Sequence, residues 1–336
     1  MSGTVEGPVA RDTAVLCLRP EADFARVDAM PPASLRVSYR SPSDADVGDL
    51  LRQSRAMVIP AVGPKISPSI FEGSDLALVQ ITGAGVERLD RAALTRLGIP
   101  VANVPGGSNS AVAEYVVTMA SLLLRRFAWA DWEMRRGNYE GFRARLLADN
   151  LAGLDGLLAG VIGLGVIGRA VAETFHRAGC RVCYYDPDPK DARGVDGLGA
   201  RRVSLEELLA TADVISLHVP LQRETERLIG PRELSLTKPG VVLIQASRGG
   251  VVDEAALAEW LQSGHIGGAA IDVYAIEPPV PNNPLLRLEG EPARRLIFTP
   301  HIAGVTRQSA SFLLRAAWQN VERVLVRHEP PLNRVY

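Results

Sequence analysis

Three polar residues, Arg248, Glu277 and His301, are of types that together can assist the reduction of a carbonyl group by a hydride donor. Each follows a short apolar run that suits a buried strand: residues 241–245 before Arg248, 269–273 before Glu277 and 296–298 before His301. Ligands of open α/β sheets bind in the crevice at the carboxyl ends of strands, so this shared placement is informative, although sequence does not show that the three meet. Reducing a 2-oxo acid needs a hydride, a proton for the carbonyl oxygen and a cation for the substrate's negative charge. His301 can supply the proton, because imidazole titrates near neutral pH. Glu277, hydrogen-bonded to it, would favour imidazolium and fix the ring's orientation. Arg248 could grip the carboxylate and polarise the carbonyl with a planar fork of donors. Taken singly, they have plainer explanations as a surface arginine, a solvated glutamate before Pro278-Pro279 and a structural histidine. Of the other histidines, His218 falls at a strand end where it could line a cofactor site, while His176, His265 and His328 read as structural.

A hydride source is written earlier in the chain. An apolar run at residues 157–162 leads straight into Gly163-Leu-Gly165-Val-Ile-Gly168, and residues 169–178 then read as a helix that Gly179 can end. A second strand at 181–185 delivers Asp186, 23 positions after Gly163. Gly163 permits a tight turn, Gly165 lets backbone amides reach a pyrophosphate, and Gly168 allows close packing of helix on strand. The pyrophosphate would sit at the positive end of the helix, and Asp186 would take the ribose hydroxyls. A carboxylate there repels a 2′-phosphate, which favours NAD over NADP, although Lys190 and Arg193 lie close by.

These motifs need elements to hold them. The sequence predicts strands at 14–18, 36–39, 56–60, 76–81 and 98–105, with helices at 45–54 and 90–97. The Gly83-Ala84-Gly85 turn follows directly on one of these strands, and its exposed amides could dock a carboxylate. A wide apolar stripe over 110–136 (Val112, Val116, Met119, Leu122, Leu123, Leu124, Phe127) reads as one buried helix, and residues 137–156 as polar and irregular. Beyond Asp186 come a helix opened by Ser204 and Glu207, strands at 213–217, 241–245, 269–273 and 296–298, a helix capped by Asp253, and a closing helix at 307–327. Alternation of β and α throughout means α/β architecture with doubly wound parallel sheets, formed twice.

The bulk properties set outer limits. A chain of 336 residues suits two domains. A net charge of −1 argues against a nucleic-acid binder, and Arg125-Arg126 and Arg201-Arg202 read as helix ends or turns. No apolar run approaches the ~20 residues that cross a bilayer. Residues 1–12 show no basic start followed by an apolar segment and read as a frayed tail. Cys180 and Cys183, three apart on a strand, point to opposite faces, and no second pair completes a metal site. No metal is therefore expected, and a cytoplasmic location fits Cys17, Cys180 and Cys183 as packing residues.

The chain resembles the NAD-dependent D-isomer-specific 2-hydroxyacid dehydrogenases, phosphoglycerate and glyoxylate/hydroxypyruvate reductases among them, over residues 14–335. The matching pieces are Gly83-Ala-Gly-Val86, Gly163-Leu-Gly-Val-Ile-Gly168, Ala246-Ser-Arg-Gly-Gly-Val-Val-Asp-Glu254, Ala270-Ile-Asp-Val273 with Glu277-Pro-Pro279, and Thr299-Pro-His-Ile-Ala-Gly304. The resemblance implies Arg248 on substrate, Glu277 paired with His301, and His301 as acid/base. It implies cofactor contacts at Val166, Ile167, Asp186, Val219, Pro220, Ala246, Asp272 and Gly304, and substrate carboxylate binding on the Gly83, Ala84 and Gly85 backbone. It also implies two Rossmann-like or flavodoxin-like domains: an NAD-binding domain, 104–301, inserted in a discontinuous substrate domain, 1–103 plus 302–336. A homodimer using the helix near 110–126 follows from the same resemblance.

Departures bear on the substrate. Phosphoglycerate-type relatives often carry a basic residue before the Gly-x-Gly turn, where Ile81-Thr82 stand here. Phosphite-oxidising relatives, which residues 136–141 faintly resemble, place a lysine inside that turn, where Ala84 stands; Lys65 reads as a surface residue of a Pro-rich loop. The expectation is therefore an NAD-dependent oxidoreductase interconverting a D-2-hydroxy acid and its 2-oxo acid. The alternatives are an NAD-sensing corepressor-like protein, or the same fold acting on 3-phosphoglycerate or phosphite.

Overall fold

The computed structural model describes residues 12–188 and 195–336. The N-terminal tail, Lys190 and Arg193 lie outside the described residues. The chain divides into two compact units, one of residues 1–107 and 306–336, the other of residues 108–305. The expected domain map has its hinges near Asn103 and His301; the division between the units falls a few residues beyond each.

In the first unit, strands β1 (Ala14–Cys17), β2 (Arg36–Tyr39), β3 (Ala56–Ile59), β4 (Leu78–Ile81) and β5 (Val101–Ala102) form an all-parallel sheet in the order β2-β1-β3-β4-β5. Every residue of β1, β3 and β4 is buried, as the continuous apolar runs require of strands covered on both faces. Alternate residues point to opposite faces. Leu16, Met57, Ile59, Val79 and Ile81 pack under α1 (Val47–Gln53) and α2 (Arg91–Arg96). Val15, Cys17, Ala56, Val58 and Leu78 pack with Leu314, Trp318 and Val321 of the C-terminal helix Arg307–Leu325. Asp90 caps α2 by accepting from Ala93 N. The expected strand at 98–105 is reduced to Val101–Ala102, which pairs with β4 on one side and meets the 334–336 segment on the other: Val101 N donates to Tyr336 O and Val335 N to Val101 O.

The second unit contains α3 (Asn109–Leu124), α4 (Phe127–Arg135) and α5 (Tyr139–Ala148), then β6 (Leu158–Ile162), α6 (Val166–Arg177), β7 (Arg181–Tyr185) and β8 (Arg201–Arg202). It continues with α7 (Leu205–Thr211), β9 (Val214–Leu217), β10 (Val241–Gln245), α8 (Glu254–Gln262), β11 (Ile266–Ile271) and β12 (Leu296–Phe298). Its parallel sheet runs β12-β11-β10-β9-β6-β7-β8, so the strand order reverses direction between β6 and β9, the kind of switch point whose carboxyl ends receive ligands in such sheets. One face packs on α3 and α6 through Val112, Val116, Leu123, Val171 and Phe175, the other on α7 and α8 through Leu208, Leu257 and Leu261.

Three expectations are corrected. The stripe over 110–136 is two helices, not one: Arg126 takes a left-handed conformation (φ 51°) that turns the chain back. Trp129 of α4 lies against Phe142 of α5 at 5.3 Å between ring centroids, and Arg126 pairs with Asp149. The segment 137–156 is irregular only in part: Tyr139–Ala148 form α5, whose buried Phe142 meets Trp129, and 149–156 carry no helix or strand. Arg201-Arg202 is an edge strand, not a turn; Arg202 Nη2 donates to Asp186 O at 2.9 Å.

Candidate active site

The glycine turn between β6 and α6 is held from both sides. Gly163 has φ 91°, and a Cβ there would lie 2.7 Å from His218 O and 2.8 Å from Val219 Cγ1, so the turn and the β9 end are in direct contact. A Cβ on Gly168 would lie 1.9 Å from Gly163 O, whereas one on Gly165 would meet nothing within 4 Å. Gly168 is thus required for packing, and Gly165 faces open space at the helix start. There the first-turn amides of α6, on Val166 and Ile167, have no intrahelical partner. Asp186 follows β7; its Oδ2 accepts from Leu164 N at 2.7 Å and its Oδ1 from Asp188 N at 2.9 Å. A carboxylate held this way keeps lone pairs for hydroxyl donors. The turn, the free amides, the open space over Gly165 and the anchored acid fit a dinucleotide. Val219 adjoins the turn, and Pro220 follows it, solvent-exposed.

His218 Nε2 lies 2.6 Å from Ser216 Oγ, while its buried Nδ1 has no partner among the described residues. Burial pushes its pKa down to about 3, so the ring is neutral.

The three reactive candidates come together. His301 Nδ1 lies 2.9 Å from Glu277 Oε2. Burial pushes the Glu277 carboxyl up, but the His301 hydrogen bond, the Tyr274 amide and the charges of His301 and Arg248 outweigh it and hold the group below its ordinary value. Arg248 is placed by backbone contact: a Cβ on Gly249 would lie 1.7 Å from Tyr274 O, so the Arg248 loop lies directly against the start of the Glu277 loop. Gln245 fastens the same loop, with Nε2 donating to Arg248 O at 2.8 Å and Oε1 accepting from Ser247 Oγ at 2.8 Å.

His301 itself has φ 56°, a left-handed conformation that costs a non-glycine residue roughly 1–2 kcal/mol and persists only where neighbours impose it. Asp272, 1% exposed, imposes it. Its backbone O accepts from His301 N at 2.9 Å, and its carboxylate accepts from Ile302 N at 2.7 Å, Ala303 N at 2.9 Å and Thr299 Oγ1. Thr299 in turn meets Tyr115 Oη of α3 at 2.8 Å. Gly304, next along, abuts Ser108, and Ala246 precedes Ser247 at the end of β10. Sequence reasoning missed Tyr115, one of several hydroxyl residues on α3 beside its apolar stripe.

The Gly83-Ala84-Gly85 turn belongs to the first unit. Gly83 O accepts from Val104 N at 2.9 Å and Ala84 O from Asn103 Nδ2 at 2.8 Å. No hydrogen bond among the described residues uses the three amides of the turn, which therefore remain donors. The neighbouring Pro60–Pro64 loop is pinned by Arg88, 5% exposed, whose Nη1 donates to Pro60 O at 2.9 Å and Nε to Pro64 O at 2.8 Å.

Residues 117–303 match the family model described as "D-isomer specific 2-hydroxyacid dehydrogenase, NAD binding domain". The chain is 37% identical over 246 residues to a D-3-phosphoglycerate dehydrogenase of Archaeoglobus fulgidus, a match covering 73% of this chain and 45% of that one. It is 35% identical over 260 residues to a glycerate dehydrogenase of Methylorubrum extorquens, covering 77% and 79%. The chain thus spans about half the length of the phosphoglycerate dehydrogenases it matches. Among solved structures, a D-lactate dehydrogenase from Treponema pallidum superposes with a TM-score of 0.79 at 27% identity, over 96% of this chain and 99% of that one. No described helix is long and apolar enough to cross a membrane. NAD is the cofactor of the matched domain, and the chain belongs to the D-isomer-specific 2-hydroxyacid dehydrogenase family.

Proposed function

We propose that this protein is an NAD-dependent oxidoreductase that interconverts a D-2-hydroxy acid and its 2-oxo acid. The observation that carries the reading is the His301–Glu277 hydrogen bond with Arg248 beside it, at the strand ends of a unit that matches an NAD-binding domain. NAD supplies or removes the hydride when bound. Gly165, Val166 and Ile167 would cradle its pyrophosphate, with Gly163 and Gly168 shaping the turn beneath it; Asp186 would hold its ribose, and Val219, Pro220, Ala246, Asp272 and Gly304 would line the remainder.

In the reducing direction, His301 gives the proton on Nε2 to the substrate carbonyl oxygen as the hydride arrives at carbon, and the 2-hydroxy acid leaves. Glu277 stabilises the imidazolium and holds the Nδ1–H, which aims Nε2 at the substrate. Arg248 binds the carboxylate and polarises the carbonyl. In the oxidising direction neutral His301 takes the hydroxyl proton. The first unit, residues 1–103 with 302–336 in the expected map, is read as the substrate domain, and the free amides of Gly83, Ala84 and Gly85 are donors of the kind a carboxylate takes. A cytoplasmic homodimer completes the reading; the buried, unpaired Cys17, Cys180 and Cys183 suit a reducing compartment.

One observation favours a substrate with a second anionic group. Arg19 Nη1 donates to Thr82 Oγ1 at 3.2 Å, which sets a guanidinium beside the residue that precedes the Gly83 turn, although Asp23 pairs with it. NADH oxidation should therefore be measured against glyoxylate, pyruvate, hydroxypyruvate, phosphohydroxypyruvate and a bulky aromatic 2-oxo acid, with His301→Ala as control. Turnover that the control loses by ~10²-fold or more supports the assignment. Tight NADH binding with no turnover of any acid overturns it in favour of an NAD-sensing role.

A further inference from the structure

The polarity of the hydrogen-bond chain behind His301 is fixed by chemistry. The Thr299 hydroxyl donates its one proton to Asp272 Oδ1, whose carboxylate also accepts from two backbone amides. Thr299 Oγ1 is then left as an acceptor, and Tyr115 Oη, 2.8 Å away, must be the donor. Burial pushes the Tyr115 phenol up to about 12, which keeps that proton in place throughout the working pH range. The chain therefore runs one way, from Tyr115 through Thr299 to Asp272. At its end the same carboxylate holds the amides of Ile302 and Ala303, while Asp272 O holds the amide of His301.

Both flanks of His301 thus depend on one carboxylate whose orientation is set by Thr299. Asp272 and Tyr115 lie on elements of the packed core: Asp272 directly after β11, and Tyr115 on α3, which packs against the sheet through Val112 and Val116. Even histidine enters the left-handed region only at a cost, so its neighbours must hold it there. The preference is supplied through this relay, and the relay starts on a helix rather than in the loop.

We infer that Tyr115 is a positioning residue for His301, acting through Thr299 and Asp272 to hold the ring in register with Glu277. The inference rests on the reading of His301 as the acid/base, but its test does not depend on turnover. In protein labelled with ¹⁵N-histidine, the Nδ1 and Nε2 resonances of His301, assigned by their loss in His301→Ala, report the ring's hydrogen bonding directly. Tyr115→Phe and Thr299→Val should each move these resonances away from their wild-type positions and lower kcat about tenfold, the scale of one lost hydrogen bond expressed at the reacting geometry. Thr299→Ser, which keeps the hydroxyl, should restore both readouts to within about twofold of wild type. NADH affinity measured by fluorescence should stay within about twofold in Tyr115→Phe, separating a positioning defect from loss of the fold. Resonances and kcat that stay at wild-type values in Tyr115→Phe overturn the inference, as does a fall in kcat with unmoved resonances. Moved resonances in a protein that turns over no 2-oxo acid uphold the relay and defeat the acid/base reading instead.

Discussion

His301 Nδ1 stands 2.9 Å from Glu277 Oε2, and the two residues lie in loops that follow the paired strands β12 and β11. Neighbouring parallel strands deliver their carboxyl ends side by side, so an acid and a base 24 positions apart in sequence meet without a long connection. The pair also has a pH signature. Glu277 titrates below its ordinary value in the folded protein, so the unfolded chain binds its proton first as pH falls. The stability contributed by the pair is therefore complete above about pH 4.3 and is lost as pH drops through the lowered folded value. Thermal unfolding of wild type and Glu277→Gln from pH 6 to 3 should show the variant losing less on acidification. Parallel profiles would refute the coupling. The same variant should lose kcat by about 10- to 100-fold, since the neutral amide no longer stabilises imidazolium.

Gly165 and Gly168 share a motif but not a job. A methyl group on Gly168 has no space, with Gly163 O 1.9 Å from its Cβ position, while one on Gly165 has nothing within 4 Å. Gly168→Ala should lower Tm by more than about 5 °C. Gly165→Ala should leave Tm within about 2 °C and weaken NADH binding by about tenfold or more, because its methyl projects where the pyrophosphate is proposed to lie. Calorimetry and fluorescence titration of the two variants distinguish packing from binding. Equal losses of Tm would defeat the division of roles.

The Arg248 loop offers a sharper probe. A Cβ on Gly249 would lie 1.7 Å from Tyr274 O and 2.2 Å from Tyr274 C, so Gly249→Ala must push the arginine loop off the Glu277 loop. Displacing a substrate-binding cation by about 1 Å costs on the order of 10²-fold in kcat/KM. Gly153→Ala, where a Cβ meets nothing within 4 Å, is the matched control and should behave as wild type. Steady-state kinetics on the preferred 2-oxo acid read the effect; unchanged kcat/KM in Gly249→Ala would show that Arg248 does not act from this loop.

What was legible in the sequence is what residue type alone dictates. Gly163, Gly165, Gly168 and Asp186 declare a turn, a helix start and an acid at a strand end because few other residues satisfy those backbone demands. Arg248, Glu277 and His301 were legible through the strands that precede them. The break at Arg126 was not, because an apolar stripe looks the same whether one helix carries it or two helices fold back on one another, and an arginine in the left-handed region has no sequence signature. Arg88 and Tyr115 were illegible for a different reason. Each is defined by its partners, the carbonyls of Pro60 and Pro64 for one and Thr299 for the other, and such pairings exist only once the sheets are assembled.

His218 completes the set of predictions. Its partly buried ring can remain neutral with one proton on Nε2, donated to Ser216 Oγ at 2.6 Å, leaving the buried Nδ1 bare. Protonating Nδ1 would bury both a charge and an N–H with no acceptor among the described residues. The folded pKa of about 3 lies below the value near 6.5 of an unfolded histidine, so between these limits the unfolded state binds more protons and stability rises with pH. Acidification from pH 6.5 toward 3 should therefore lower Tm more steeply in wild type than in His218→Asn, whose amide can still meet Ser216 but does not titrate. Differential scanning calorimetry across that range makes the comparison. Identical slopes would mean that the ring reaches an acceptor on protonation and contributes no acid sensitivity.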